Sequence, residues 1–450
     1  MNVRSRKSEA GERRKTRAIL HDLRRYESRN ITFQDPDGSW PIVWKRARGT
    51  RVWDEEGKEY LDLTAAFGVA ASGHANPRVV RAGQRQLAEL PHAMGDVHPH
   101  ALKASLAREL SRLTFERWSQ GKPTAASRHG KTIFCSSGFE AVESAMKTAL
   151  RATGRSGILA FEGAYHGVGY GALNATHRPH FRESFRSQLR EFGTFLPFPT
   201  EEDAGVRTWE IEKQIEKRLR EDRPGAVLVE PIQARGGIRV PPGGFLRRLS
   251  RLCDRYEALL IFDEIYTGFG RTGRWFACEH EDVIPDLICL GKALAGGFPI
   301  SACVGRSDLM DAAWPESDGE AIHTSTFLGN PVGCAMALAQ IQELRRRDLP
   351  ARSESMGAFF STQLQALAKG CQSLEATVRG RGLMLGLELR RHDGTPATAE
   401  SLALVKKMLH SGFILLPEGA FSEVLGFTPP LTITLAELRR TTRVLKSLLT

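Results

Sequence analysis

The feature that most limits what this chain can fold into is a series of short, almost wholly apolar runs at 158–161, 226–229, 259–262, 287–290 and 300–304. Several are separated by stretches with helical spacing, such as 210–220 and 245–256. Runs of four or five residues that are apolar at nearly every position, rather than at every second one, belong to strands covered on both faces. Strands of that kind alternating with helices predict an α/β domain on a mostly parallel central sheet flanked by helices. In such sheets ligands sit beyond the carboxyl ends of the strands, so the chemistry is to be sought there. Upstream, 77–90 and 101–113 have helical spacing, 131–135 reads as a short strand and 139–152 as a helix.

From 331 the pattern changes to long helices over 333–347 and 352–368, shorter strands near 383–389 and 412–415, and a closing helix. This predicts a second, smaller α+β domain. Residues 50–63 read as a hairpin turning at Glu56-Gly57, part of an N-terminal segment expected to pack on that domain. A chain of 450 residues has ample length for two such units, and it contains no internal repeat. No apolar run approaches the ~20 residues of a membrane span. No secretory leader is expected either, and the location read from the sequence is cytoplasmic.

The net charge of +11 raises the question of a polyanionic partner. Residues 1–17 carry seven basic side chains against two acidic ones, a net of +5, so nearly half the excess sits in one terminal arm. The arm, taken as 1–30, is read as a mobile, solvated terminus, and neither nucleic acid nor membrane is expected as a partner. Seven cysteines form an odd set without a C-x-x-C pair, which argues against a disulfide framework and against a metal site and fits a reducing compartment.

Three strand ends carry polar residues whose chemistry fits together. In Ile261-Phe262-Asp263-Glu264 an apolar strand runs into carboxylates, placing one at the sheet edge where it can hold a proton on a cofactor nitrogen. In Leu287-Ile288-Cys289-Leu290-Gly291-Lys292 another delivers a lysine, which in a dry cleft has a lowered pKa and attacks a carbonyl carbon. In Cys135-Ser136-Ser137-Gly138-Phe139-Glu140 a strand enters a helix. Ser137 and Glu140 have capping-box spacing, and the same geometry aims free backbone N–H groups at a phosphate. Phosphate cradle, aspartate and lysine together describe a pyridoxal phosphate site. The run Gly268 to Gly273 matches G-x-G-x-x-G, but no helix opens after it, so a dinucleotide site is not expected. The polar run Cys278 to Asp282 has no second His or Cys group to complete a metal site.

The stretch Asp263-Glu264-Ile265-Tyr266-Thr267-Gly268-Phe269-Gly270-Arg271-Thr272-Gly273, with Gly291-Lys292-Ala293-Leu294-Ala295-Gly296-Gly297 after it, resembles the signature of class III pyridoxal-phosphate aminotransferases. Gly73-His74-Ala75-Asn76-Pro77, Tyr165-His166-Gly167, Glu230-Pro231-Ile232-Gln233, Ser325-Thr326-Phe327 and Pro429-Pro430-Leu431 follow the family's order, so the resemblance runs from about residue 40 to the C-terminus. It implies a fold type I enzyme working as a homodimer with active sites shared between subunits. Its parts would be an N-terminal segment at 31–85, a large cofactor-binding domain at 86–330 and a small domain at 331–450 built together with the N-terminal end. It implies transfer of an amino group from an amino acid or amine donor to a keto-acid acceptor in two half-reactions. By the same resemblance Lys292 carries the cofactor and moves the proton, and Asp263 pairs with the ring nitrogen. Tyr165 and Ile265 flank the ring, Gln233 reaches its phenolic oxygen, and Ser137, Gly138 and Phe139 hold the phosphate with Thr326 of the other subunit. Phe67 and Arg235 are candidate substrate contacts. The same lysine and aspartate also serve racemases and decarboxylating transaminases, and a polyanion-binding protein with an inactive site is the alternative outside enzymology.

The chain departs from the family at the substrate positions. The usual arginine after the aromatic-His-Gly motif is Val168, the usual arginine before Pro-Pro-Leu is Gly426, and the glutamate that often pairs with the latter is Arg235. Both usual carboxylate clamps are missing and one acid has become a base, so Arg235 is expected to replace them. Ornithine, acetylornithine and 4-aminobutyrate are then expected to be poor donors. Phe139 stands where a hydroxyl residue often adds one phosphate hydrogen bond, worth about 1 kcal/mol.

Overall fold

The computed structural model describes residues 13–120 and 129–449. At its centre is a seven-stranded sheet whose order across the sheet is Gly130–Cys135, Ser301–Arg306, Leu287–Leu290, Leu259–Asp263, Ala226–Val229, Ile158–Phe161 and Gly193–Leu196. Ser301–Arg306 runs antiparallel to both its neighbours, because Gly296 and Gly297, at φ 63° and 133°, turn the chain back before Pro299. The remaining ladders are parallel. Ala226–Val229, Leu259–Asp263 and Leu287–Leu290 are buried at every position, as the unbroken apolar runs required. One sheet edge therefore collects the carboxyl ends that lead into Ser136, Glu162, Glu230, Asp263 and Gly291.

The smaller unit is built from both chain ends. The hairpin of Arg51–Asp54 and Glu59–Asp62 turns through Gly57 at φ 89°, and its second strand pairs in parallel with Phe413–Ile414. Beside it, Glu375–Arg381, Met384–Arg390, Val424–Phe427 and Leu416–Glu418 form an antiparallel sheet. The helices Leu349–Gly370, Thr398–His410 and Leu435–Leu449 complete this unit, while Pro77–Glu89 packs on Pro331–Arg346.

The mobile arm read over 1–30 is corrected for the residues described. Arg14–Tyr26 is a helix whose Thr16 and Leu20 are buried. Thr16 donates from its N–H and hydroxyl to Glu56 (2.8 and 2.7 Å), and Arg13 donates to the carbonyls of Gly38 and Pro41. Thr16, Leu20 and Leu23 lie on one helix face by their spacing, a pattern hidden by the surrounding charge. Residues 1–12, with the rest of the basic arm, lie outside the described residues. Among the described residues no helix is long and apolar enough to cross a membrane.

Arg271, from the Gly-rich signature, is buried and donates to the carbonyls of Leu383 (3.0 Å) and Pro429 (2.5 Å). That loop thus ties the two units together. The polar run at 278–282 is used up the same way: Glu279 pairs with Arg117 and accepts from Trp118 (3.1 Å), and Glu281 accepts from the Arg247 N–H (3.1 Å).

Candidate active site

At the collecting edge of the sheet lies a cavity of about 490 Å³ lined by residues from both units, among them Phe67, Gly138, Tyr165, Asp263, Ile265 and Lys292. Asp263 closes the strand Leu259–Asp263 and is buried. Its Oδ2 stands 2.8 Å from His166 Nδ1, and its Oδ1 accepts from the Ile265 N–H (3.1 Å). A carboxylate only accepts, so His166 carries its proton on Nδ1. The other ring nitrogen, Nε2, is buried without a hydrogen-bond partner among the described residues. The neighbouring carboxylate does different work. Glu264 accepts from Thr267, from the Ala277 N–H (2.9 Å) and from the Cys278 N–H (2.8 Å), holding the loop that follows, and burial pushes its pKa up to about 7.

Lys292 follows the adjacent strand Leu287–Leu290 after Gly291 and has φ 35°. Left-handed backbone at a residue with a Cβ is strained, and such strain concentrates where a side chain must be aimed. Its Nζ lies 4.6 Å from the centroid of the Tyr266 ring. Burial lowers its pKa, and the carboxylates of Asp263, Glu230 and Glu418 partly oppose that shift. Glu230 accepts from the N–H groups of Tyr165 (3.2 Å) and Ala234 (3.3 Å), and burial raises it to about 7.

The third strand end enters the 16-residue helix Gly138–Thr153. Glu140 accepts from the N–H groups of Ser136 (2.7 Å) and Ser137 (2.9 Å), which leaves the first helical N–H groups, from Gly138 onward, pointing out of the helix start. Ser137 Oγ is buried and faces the Glu140 N–H in a capping box, without a close hydrogen bond among the described residues. A Cβ on Gly138 would lie 3.1 Å from Ile265 Cδ1, so glycine here lets Ile265 seat closely against the helix start. Phe139 packs on the Gly167–Gly169 backbone, where a Cβ at Gly169 would meet its ring at 2.4 Å. The Tyr165 ring, which lines the same cavity as Ile265, is held edge-on by Phe181, with centroids 5.2 Å apart.

One cavity thus brings together the apolar side chains of Tyr165 and Ile265, an aspartate held by His166, and the start of the helix Gly138–Thr153. A flat aromatic ring bearing a phosphate fits them. The lysine and aspartate at neighbouring strand ends place this among the α/β enzymes that hold pyridoxal phosphate.

Comparison with known proteins agrees. The profile of class III aminotransferases matches residues 32–449, and the chain belongs to that family. It is 39% identical over 350 residues to the acetylornithine aminotransferase of Methanopyrus kandleri, covering 78% of this chain and 81% of that one. It is 35% identical over 408 residues to the 5-aminovalerate aminotransferase DavT of Pseudomonas aeruginosa, covering 89% and 91%. Among solved structures, the ornithine aminotransferase of Toxoplasma gondii superposes with a TM-score of 0.82 at 28% identity, over 100% of this chain and 98% of that one. An amine transaminase from an uncultivated Pseudomonas species, solved with pyridoxal phosphate bound, gives 0.83 at 28% identity over 94% and 97%. The protein is therefore a pyridoxal-phosphate-dependent transaminase.

The structure brings Ser137, Gly138, Phe139, Tyr165, Asp263, Ile265, Lys292, Phe67 and Arg235 to this cavity or its end. It does not bring Gln233 there. That side chain is buried beneath, donating to the Glu162 carbonyl (2.8 Å), with Oε1 against Gly163 and Gly236. Tyr266 stands beside the lysine instead. It comes from the turn closed by the Gly268 N–H on the Glu264 carbonyl (2.9 Å), which sends Ile265 and Tyr266 into the same space. Its hydroxyl meets Thr428 Oγ1 (3.0 Å), which donates to the Thr64 carbonyl (3.1 Å). Thr326 is exposed and outside the cavity of its own chain.

Arg235 does face the cavity, and it is also paired: Nη1 lies 3.4 and 3.3 Å from the two oxygens of Glu418. A Cβ on Gly426 would lie 2.9 Å from Glu418 Cγ, so Glu418 fills the room left by the missing side chain at 426. The ion pair at this wall thus has its base at 235 and its acid at 418.

Proposed function

We propose that transamination in this chain is carried by Lys292 and Asp263, with Arg235 receiving a substrate carboxylate. The observation that supports this most is that a half-buried lysine just after one strand and a buried aspartate at the end of the adjacent one line a single cavity together with a helix start. Bound here, pyridoxal phosphate would supply the electron sink for a proton's removal from the amine-bearing carbon. Lys292 Nζ, made less basic by burial, would take that proton and hold it for the return transfer. Asp263 holds a proton on the ring nitrogen while His166 fixes the carboxylate from behind. Gly138 and Phe139 N–H groups and Ser137 Oγ receive the phosphate. Tyr165 and Ile265 enclose the ring and keep water from it. The amino group leaves the donor as its keto product forms, and the second half-reaction passes it to a keto acid.

Arg235 Nε and Nη2 donate to none of the described residues, so the fork keeps free donors while Nη1 is anchored. Phe67, exposed at φ 60°, borders the same space. Because positions 168 and 426 carry Val and Gly, acetylornithine, ornithine and 4-aminobutyrate should be poor donors here, whatever the substrates of relatives. Arg235→Ala is expected to raise the KM of amino and keto acids about 10- to 100-fold with a smaller change in kcat, the loss of a charge-assisted bond. Unchanged KM values, or rapid turnover of acetylornithine, would count against this reading.

The chain works as a homodimer with shared sites, in the cytoplasm. The segments around 91–98 and 322–330 pack together, the Asn330 amide donating to the Pro91 carbonyl (3.0 Å) and His92 meeting Phe327. They leave Met94, Val97, Ile322 and Phe327 exposed side by side with Thr326, a patch suited to a second copy. Sedimentation should give twice 49.8 kDa, and a monomer at micromolar concentration would refute it. Seven free cysteines, six of them buried, fit a reducing compartment.

A further inference from the structure

Lys292 Nζ shares the cavity with an aromatic neighbour. It stands over the Tyr266 ring, 4.6 Å from the centroid, while among the described residues it makes no hydrogen bond and no ion pair. That distance is inside the ~6 Å over which the negative face of an aromatic ring attracts a cation. Asp263, Glu230 and Glu418 act on the charge of Nζ without touching it, and Arg235 opposes them.

The ring is fixed in three ways. Its hydroxyl meets Thr428 Oγ1 (3.0 Å), and Thr428 donates its own proton to the Thr64 carbonyl (3.1 Å), so the tyrosine gives its proton to the threonine and not to the lysine. One edge abuts Gly68, at φ 81°, where a Cβ would stand 2.9 Å from Cε1. Gly68 closes a turn in which Ala65, Ala66 and Phe67 also have positive φ (48°, 49° and 60°), a strained stretch held by Asp62, which accepts from the Thr64 and Ala66 N–H groups (2.8 and 3.1 Å). The ring also packs on the buried cluster of Ile232, Ala234, Ile238, Val240 and Met384. Burial, with the charge of Glu418, pushes the hydroxyl's pKa up to about 12, so at neutral pH the lysine meets an uncharged π face. A ring already fixed in this position needs no rearrangement when the lysine becomes charged.

We propose that Tyr266 is the positioning residue of Lys292: its ring face holds Nζ while that nitrogen carries a proton, keeping the ammonium in the cavity between taking the proton and returning it. This rests on the assignment of Lys292 as the proton carrier. The proton passes from carbon to Nζ and back, and Tyr266 neither gives nor takes one. A carboxylate in direct contact would hold the ammonium harder and slow the return, and an aliphatic side chain would leave the charge without a partner. The attraction of an uncharged ring lies between these.

The test is the pH profile for recapture of pyridoxal phosphate by the full-length apoprotein, read from the absorbance of the lysine-bound cofactor. A ring that favours the ammonium raises the pKa of Lys292, so removing the ring lowers it. In Tyr266→Leu the midpoint of the profile should fall by about one pH unit, a roughly tenfold change in the protonation equilibrium. Tyr266→Phe keeps the ring and loses the hydroxyl, and should restore most of that shift. In the holoenzyme kcat should fall about tenfold in Tyr266→Leu, with KM for the amino donor changed less, and Tyr266→Phe should recover most of the loss. Tyr266→Met, whose flexible side chain fills irregular gaps, takes the place of Tyr266→Leu if that variant loses its far-ultraviolet spectrum. An unchanged or raised midpoint in the variant without the ring overturns the proposal, as does a kcat equal to wild type. So does a shift in Tyr266→Phe as large as in Tyr266→Leu, which would trace the effect to the hydroxyl. The transaminase reading fails on a different result, wild-type holoenzyme that releases no keto product from an amino acid donor, whereas the recapture profile reports on Lys292 and the ring alone.

Discussion

Lys292→Ala should lower kcat by about 10⁴-fold, the upper end of what a positioned proton-transfer group contributes. The strand that carries it, Leu287–Leu290, is buried at every position without help from the lysine, so the variant should fold and keep its far-ultraviolet spectrum. Turnover within tenfold of wild type would remove Lys292 from the mechanism. The same residue makes a pH prediction. Only the neutral amine attacks a carbonyl, and burial lowers the pKa of Lys292 from the ordinary lysine value of 10.5. In the folded apoprotein the rate of cofactor recapture should therefore rise with pH and level off below 10.5. A rise that continues to 10.5 and beyond would mean that Asp263, Glu230 and Glu418 outweigh burial at this site.

Asp263→Asn should lower kcat by about 10²- to 10³-fold, the range found when one preorganised electrostatic partner is lost. Asparagine keeps the shape of the side chain and an acceptor for the Ile265 N–H, so the loss isolates the carboxylate's charge. His166 then has no carboxylate on Nδ1 while Nε2 remains without a partner. Cofactor retention should weaken with it, measured by dialysis and by the absorbance that remains. Activity within threefold of wild type would show that the charge at 263 plays no part in the reaction.

The residues most readable from sequence are those whose chemistry sits at the end of their own strand. Asp263, Lys292 and the Ser137–Gly138–Phe139 start were legible because an unbroken apolar run says where a strand is, and the first polar residue after it must lie at the sheet edge. Gln233 shows the limit of that reasoning. A residue three places after Glu230 has a fixed neighbourhood along the chain, but nothing local decides whether its amide turns to the cavity or to the Glu162 carbonyl. Glu418 was beyond reach for a different reason. Glu418 meets Arg235 across 183 residues of sequence, on a three-residue strand with no periodicity of its own. The strands Glu375–Arg381 and Val424–Phe427 escaped as well, the first because it is largely half-exposed and interrupted by Gly380. The helix at 14–26 was hidden by charge, since its apolar contacts number only a few among many basic residues.

In sequence, Gly426 and Arg235 stand where the family usually has an arginine and its glutamate partner. In the fold they are one exchange. Glu418 fills the space over Gly426 and pairs with Arg235, so the wall keeps an ion pair with its signs transposed, and the cation now borders the cavity. A buried pair of this kind contributes little net stability against apolar side chains of similar size, which makes its placement beside the substrate the more informative fact.

The most direct test of the account is a single half-reaction. Holoenzyme mixed with one amino acid donor and no acceptor should release one equivalent of keto product per subunit, lose the absorbance of the lysine-bound cofactor, and stop until a keto acid is added. Continuous product without acceptor, or conversion of the donor to its mirror image with no keto product, would contradict it.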